Sequence, residues 1–342
     1  AFFFVSVALI SLVHHQWSRQ ERLVYPLAVV PNMLLQSLEN PVNSILKSKL
    51  LWCGFFIAWI FPTANMLDQI FDIEIIHNFG IPGGRIEIRQ FGLSYATNTD
   101  LLVVGLSYLV NLNVLFSVWF FQLFRIIQTG MLNQFGISSP STSIVPGGLV
   151  SIQFCGGLIM FVLWGAWMAR DHLKQVFRHA FGRETKLRDE EELFSYRTAV
   201  FGLIAGVAYL IAWLYAIGFT LPIAVLFLFF LYVFYIGLAR VIAEAGLIHL
   251  DLPINANTFT VGMVGSANMT GSTLTGLGLT NAFARNWRTF TMVGLAHVAW
   301  LREYIWPNRR MLVLWISMAF VVSVVTSLMY VIYSGYTQGA DN

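Results

Sequence analysis

Polar and apolar positions in this chain alternate on the scale of whole helices, not of helix faces or strands. Runs of about 20 apolar residues, the length that crosses hydrocarbon as a helix, recur and are parted by polar connections. They cover residues 1–16, 50–67, 101–124, 149–168, 198–218, the run that begins at Leu221, and 311–333. Residues 23–38 are also apolar but short, and Pro26 and Pro31 interrupt them. That stretch reads as a broken or re-entrant helix, with an interfacial helix as the alternative. The predicted fold is all-α: a polytopic transmembrane helical bundle with about seven full spans plus broken or re-entrant segments. It forms one unit over residues 1–342. The connection at Phe219-Thr220, with Pro222 just inside the next helix, predicts an antiparallel hairpin of the fifth and sixth spans.

The polar cargo of the spans is concentrated in two places. The helix from Leu221 takes up Arg240 and Glu244 before it ends, four apart and so on one face, where they are expected to pair. Asn255, Asn257, Thr258, Thr260 and Asn268 follow, with five glycines between Gly262 and Gly278. Lipid leaves such backbone without hydrogen-bond partners, so at membrane depth it belongs against protein or a water-filled cavity. Residues 251–285 therefore read as a re-entrant segment, the alternative being a loop outside the membrane. The span at 101–124 carries Ser107, Asn111, Asn113, Ser117 and Gln122. As one helix it stacks Ser107 over Asn111 and Asn113 over Ser117, which gives two polar stripes. Ser107, Asn111, Asn113, Arg240, Glu244, Asn255, Asn257 and Asn268 are the candidate substrate pathway, with interhelical hydrogen bonding as the competing use of these groups.

Composition narrows the class. The chain is 57% hydrophobic and 11% charged, against roughly 25% charged residues in soluble domains. It is an integral, multi-pass membrane protein by this measure, and the lipid bilayer is its first partner. The net charge of +3 is small, and no basic cluster has the aromatic interleaving of a nucleic-acid surface. Arginine and lysine crowd into residues 170–197, so the positive-inside rule makes this charged loop cytoplasmic. Residues 68–99 hold scattered acids, His77 and a Pro82-Gly83-Gly84 turn followed by the alternation Arg85-Ile-Glu-Ile-Arg89, which predicts a small hairpin or a cap over the membrane face. Their spacing matches no metal site, and no metal is assigned. Cys53 and Cys155 lie in apolar runs without a CxxC motif, and no cofactor is identified. His14 and His15, beside Trp17, read as interface residues. The absence of an initiating Met suggests a piece of a longer protein.

Several short stretches resemble known families. Leu23-Val-Tyr-Pro-Leu-Ala resembles a Leu-x-Tyr-Pro-Ser-Gly segment of the oligopeptide transporter superfamily, whose yellow-stripe-like branch carries metal chelates. Phe91-Gly-Leu-Ser-Tyr-Ala and Gly105-Leu-Ser-Tyr-Leu-Val-Asn-Leu-Asn-Val-Leu are similar to two further segments of that superfamily. Leu27 and Ala28 replace its Ser and Gly, and its Asn-Pro-Gly-x-Phe-Asn signature is absent. Ser195-Tyr-Arg-Thr-Ala and Ala239-Arg-Val-Ile-Ala-Glu-Ala-Gly-Leu resemble a bacterial membrane family of unknown function. The resemblance implies a bacterial inner (cytoplasmic) membrane and a carrier for a small polar solute, a peptide or a metal chelate. The competing expectation is a non-transporting scaffold subunit of a larger membrane complex or a homo-oligomer. A membrane enzyme ranks last, because no nucleophile, base and orienting group converge in the sequence.

Overall fold

A computed structural model describes residues 1–39, 45–71, 84–88, 93–97, 101–136, 148–183, 192–247, 250, 252–281, 291–305 and 309–339. In chain order the elements are α1 (Phe2–His15), a π-helical turn (Gln16–Gln20), α2 (Pro26–Glu39), a 3-10 turn (Ile45–Lys47) and α3 (Lys49–Phe71). Next come the strands β1 (Gly84–Ile88) and β2 (Leu93–Thr97), then α4 (Leu101–Ser107), α5 (Leu112–Gln134), α6 (Gly148–Met168) and α7 (Arg170–Ala180). The chain ends with α8 (Tyr196–Ile217), α9 (Leu221–Ala245), α10 (Ala256–Val264), α11 (Gly271–Leu279), α12 (Met292–Ile305) and α13 (Arg309–Gln338).

Helix α9 is the axis of the bundle. Of its most apolar stretch 67% is buried, against 6% for α5 and none for α13. Helices α6, α8, α10 and α12 pack directly on it, with α1 held between α8 and α12. Two glycines allow close helix–helix approaches. A side chain at Gly237 would meet Leu158 and Val162 of α6, and one at Gly206 would meet Val5 of α1. Gly202, the other half of the small-xxx-small pair on α8, faces open space.

Among the described residues, five helices are long and apolar enough to cross a membrane: α5, α6, α8, α9 and the Met311–Thr337 part of α13. Of the two other expected spans, α1 has only 14 residues, and α3 is apolar over Lys49–Ala64 alone. The span expected at 101–124 is displaced. The helix breaks after Ser107, and α5 starts afresh at Leu112 with Asn111 as its cap, the Asn111 side chain accepting from Asn113 N at 3.1 Å. A short polar side chain that bonds its own backbone competes with continued helix, which is why asparagine starts a helix better than it continues one.

Local chemistry explains the other boundaries. Ser195 caps α8 through Thr198 N at 3.3 Å, and α8 ends on Gly218 in a left-handed conformation. Pro222 in the first turn of α9 completes the predicted α8–α9 hairpin. The alternating residues after Pro82-Gly83-Gly84 form β1, which pairs antiparallel with β2, Gly84 opposite Thr97 and Ile88 opposite Leu93. The expected loop at 170–197 begins as helix α7, which buries His172, Val176 and Ala180 along one stripe against α8. Asp72, Glu74 and His77 lie outside the described residues.

Candidate functional site: the cavity between α5 and α6 and the α9 ion pair

The C-terminal turns of α9 gather the first polar group. Arg240 does not pair with Glu244. Its Nη2 sits 2.6 Å from Glu21 Oε2, and the other carboxylate oxygen of Glu21 accepts from Gln16 Nε2 at 3.2 Å. The π-helical turn after α1 delivers Gln16 and Glu21 to this spot; insertions of this kind re-aim side chains within a helix. The guanidinium lies over the Phe161 ring at 5.0 Å and passes above Gly165, where a Cβ would collide with it. Glu244 is exposed and carries no ion pair among the described residues. A carboxylate one turn away on the same helix gains only a few tenths of a kcal/mol by pairing. One arriving from another element, already desolvated and held by Gln16, gains more from the charge-assisted bond.

The chain entering α2 is locked to the same region. Tyr25 N donates to Ala243 O at 2.8 Å, although Tyr25 has a φ of +48°. A non-glycine residue there is uncommon and needs surrounding support. Tyr25 is fully buried, stacked on Trp300 and edge-on to His297. Gly246 permits the contact, because a Cβ on it would strike Pro26.

Beside this group, α5, α6, Leu238 and Val241 of α9, Leu250 and Pro253 line an open cavity of about 890 Å³. Gln122, Arg125, Gln128, Thr129, Ser151 and Gln153 supply its polar wall, and Gln128 Nε2 donates to Gln153 Oε1 at 2.7 Å. Phe161 lines it too, so one ring separates the cavity from Arg240. The sequence held the signal for this wall. Gln122, Arg125, Gln128 and Thr129 stand at i−3, i, i+3 and i+4 and share one helical face.

The sequence-predicted residues fall in three places. Ser107 donates to Val104 O at 2.7 Å, while Asn111 and Asn113 are exposed at the start of α5, so the expected stacking of Ser107 over Asn111 does not occur. Asn255 opens α10, and Asn257 is buried, donating to Leu277 O at 3.2 Å and Asn281 Oδ1 at 2.8 Å. Asn257 thereby clasps both ends of a helical hairpin made by α10 and α11. Phe259 packs that hairpin on Phe230 and Phe234 of α9. At its far end Ser272 and Thr273 donate to Gly218 O. Asn268 is exposed and donates to Val264 O at 2.8 Å. None of the eight lines the cavity; Arg240 lies behind Phe161, which does.

With this geometry in place, the comparisons give one assignment. A family of unknown function, DUF6785, matches residues 1–342. The chain belongs to that family. No curated protein and no solved structure matches it.

A second buried polar group in this DUF6785 member escaped the sequence reading. His14 Nδ1 lies 3.3 Å from Glu192 Oε2, both side chains buried, and Tyr196 Oη is 3.5 Å from the other carboxylate oxygen. The His15 ring stacks on His172, whose Nε2 donates to Leu12 O at 3.0 Å. His172 is on α7, outside the spanning helices. Burial pushes its pKa below the ordinary 6.5, with the bond to Leu12 O opposing the shift. Adjacent histidines diverge on a helix, and here each finds a different partner, Glu192 for one and α7 for the other.

Proposed function

We propose that the chain is a carrier for a small polar solute, bound in the cavity between α5 and α6. The carrying observation is the cavity itself: about 890 Å³, with amides, hydroxyls and one arginine set in a mostly apolar and aromatic wall on helices long enough to span a membrane. Polar groups at such depth are expensive in lipid and mark solute pathways by default. In this reading α1 and α3 also lie in the membrane, making about seven spans in a bacterial inner membrane. The α10–α11 hairpin is then re-entrant, since glycine-rich backbone at depth needs protein around it. The likeness to oligopeptide and metal-chelate transporters makes those solutes the first to try. The test is uptake by proteoliposomes of a panel of small peptides and metal chelates. Saturable uptake by protein-loaded vesicles is expected, and its absence for every solute sinks the carrier reading.

The exposed faces of α5 and α13 favour a second reading, a scaffold subunit. Phe116, Trp119 and Phe120 form an exposed aromatic face on α5, of a kind that suits lipid or another subunit. Crosslinking of α5 to a partner, together with no flux, favours this alternative.

A further inference from the structure

The bundle treats Arg240 and Arg125 differently. Arg240 is neutralised by Glu21 at 2.6 Å, its carboxylate braced by Gln16 and its guanidinium backed by Phe161. Arg125 stands near the middle of the 23-residue α5, on the wall of the cavity, with no carboxylate against it among the described residues. Its side chain is exposed there, and Gln122, Gln128, Thr129 and Gln153 line the same cavity. The Gln128–Gln153 bond uses only one half of each amide, so a carbonyl oxygen of Gln128 and an N–H₂ of Gln153 remain for a guest. A cation at mid-span is retained only where it meets a counter-charge or water. The guanidinium fork matches a carboxylate or phosphate in a way that amides do not.

We infer that the α5–α6 cavity takes an anionic solute, a carboxylate or phosphate of small-metabolite size, and that Arg125 is the residue that binds its charge. The inference rests on the carrier reading and narrows its substrate class. The cavity volume falls in the range of small-molecule sites. The neighbouring cation behind Phe161 is already paired, so it neither repels the guest strongly nor replaces Arg125 as its anchor. Thr129 donates to Arg125 O at 2.8 Å, which holds the backbone of α5 rather than occupying the guanidinium.

The test uses the full chain in phosphatidylcholine nanodiscs, probed by calorimetry with succinate, its uncharged isostere succinamide, and inorganic phosphate. Binding of succinate or phosphate is expected, at least tenfold tighter than of succinamide. Arg125→Gln is expected to weaken it at least tenfold, with Arg125→Lys intermediate and both variants eluting as folded, monodisperse protein. Equal binding of succinate and succinamide, unchanged affinity in Arg125→Gln, or no binding by either anion overturns the inference. Adding phosphatidylglycerol separates a lipid headgroup from a free solute: displacement of succinate assigns the anion to lipid, and no displacement assigns it to the solute. Flux distinguishes the two levels of the argument. Uptake of neutral solutes that ignores Arg125→Gln keeps the carrier and removes the anion site. Anion binding without any flux keeps the site and removes the carrier.

Discussion

Arg240 reaches Glu21 across 2.6 Å and leaves Glu244, one turn further along its own helix, exposed. The pair joins the turn after α1 to the end of α9, so a bond between distant segments replaces one that would have tied a helix only to itself. It also fixes where α2 begins, since Tyr25 N bonds Ala243 O close by.

Removing one partner should therefore cost more than removing the nearby acid. Glu21→Ala leaves the Arg240 charge unpaired and should destabilise the fold by about 3 kcal/mol, the lower end for breaking a buried pair, because both side chains keep 18% exposure. Glu244→Gln should change stability by less than about 0.5 kcal/mol. The double variant Glu21→Ala with Arg240→Met should regain part of the loss. Unfolding in mixed detergent micelles measures all three, and equal losses for Glu21→Ala and Glu244→Gln would contradict the pairing.

Gly165 is the floor under the Arg240 guanidinium. Gly165→Ala should force the guanidinium aside and cost about 1–3 kcal/mol, as overpacking does. Gly157→Ala, on the same helix but in open space, is the control. It should be neutral or stabilising by up to about 1 kcal/mol through helix propensity. Melting temperatures of the two purified variants decide it.

His172 makes stability depend on pH. Burial holds the folded-state pKa of His172 below its ordinary value, so the unfolded chain takes up this proton first as the pH falls. The stability tied to neutral His172 is complete above about pH 6.5 and is lost as the pH drops from there through the lower folded-state pKa. Thermal melts at neutral and mildly acidic pH should show this fall. His172→Gln should melt lower at neutral pH but with a shallower pH dependence; an unchanged slope would remove His172 as a contributor.

Asn257 clasps the α10–α11 hairpin through Leu277 O and Asn281. Asn257→Ala should cost about 1–2 kcal/mol by leaving a buried carbonyl without its donor. The loss should concentrate in the hairpin, read as faster hydrogen exchange in residues 256–279. Uniform protection across the hairpin would show that the clasp contributes nothing.

Orientation has its own test. With residues 170–197 on the cytoplasmic side, Lys174→Cys, exposed on α7, should resist a membrane-impermeant thiol reagent added to intact cells and react after lysis. The background needs Cys53→Ser, since Cys53 is exposed. Ready labelling in intact cells reverses the topology.

The sequence by itself determined the class of this protein and its local punctuation. Apolar runs of membrane length are dictated by lipid, so composition alone reveals them. The α8–α9 hairpin was legible in its short turn and Pro222, and strand β1 in the alternation after Pro82-Gly83-Gly84, because these signals act within a few residues; the pairing of β1 with β2 was not named by the sequence. The polar wall of the cavity was half legible: Gln122, Arg125, Gln128 and Thr129 share a face by spacing, but nothing local says that Gln153 of α6 closes on Gln128. The tertiary structure alone decided that Glu21 rather than Glu244 meets Arg240, that Asn111 caps a new helix rather than continuing one, and that His14 and Glu192 are buried together. Spacing along a helix measures proximity only within that helix. Which charge wins a buried cation depends on which arrives desolvated and already braced, and that is fixed only when distant segments pack.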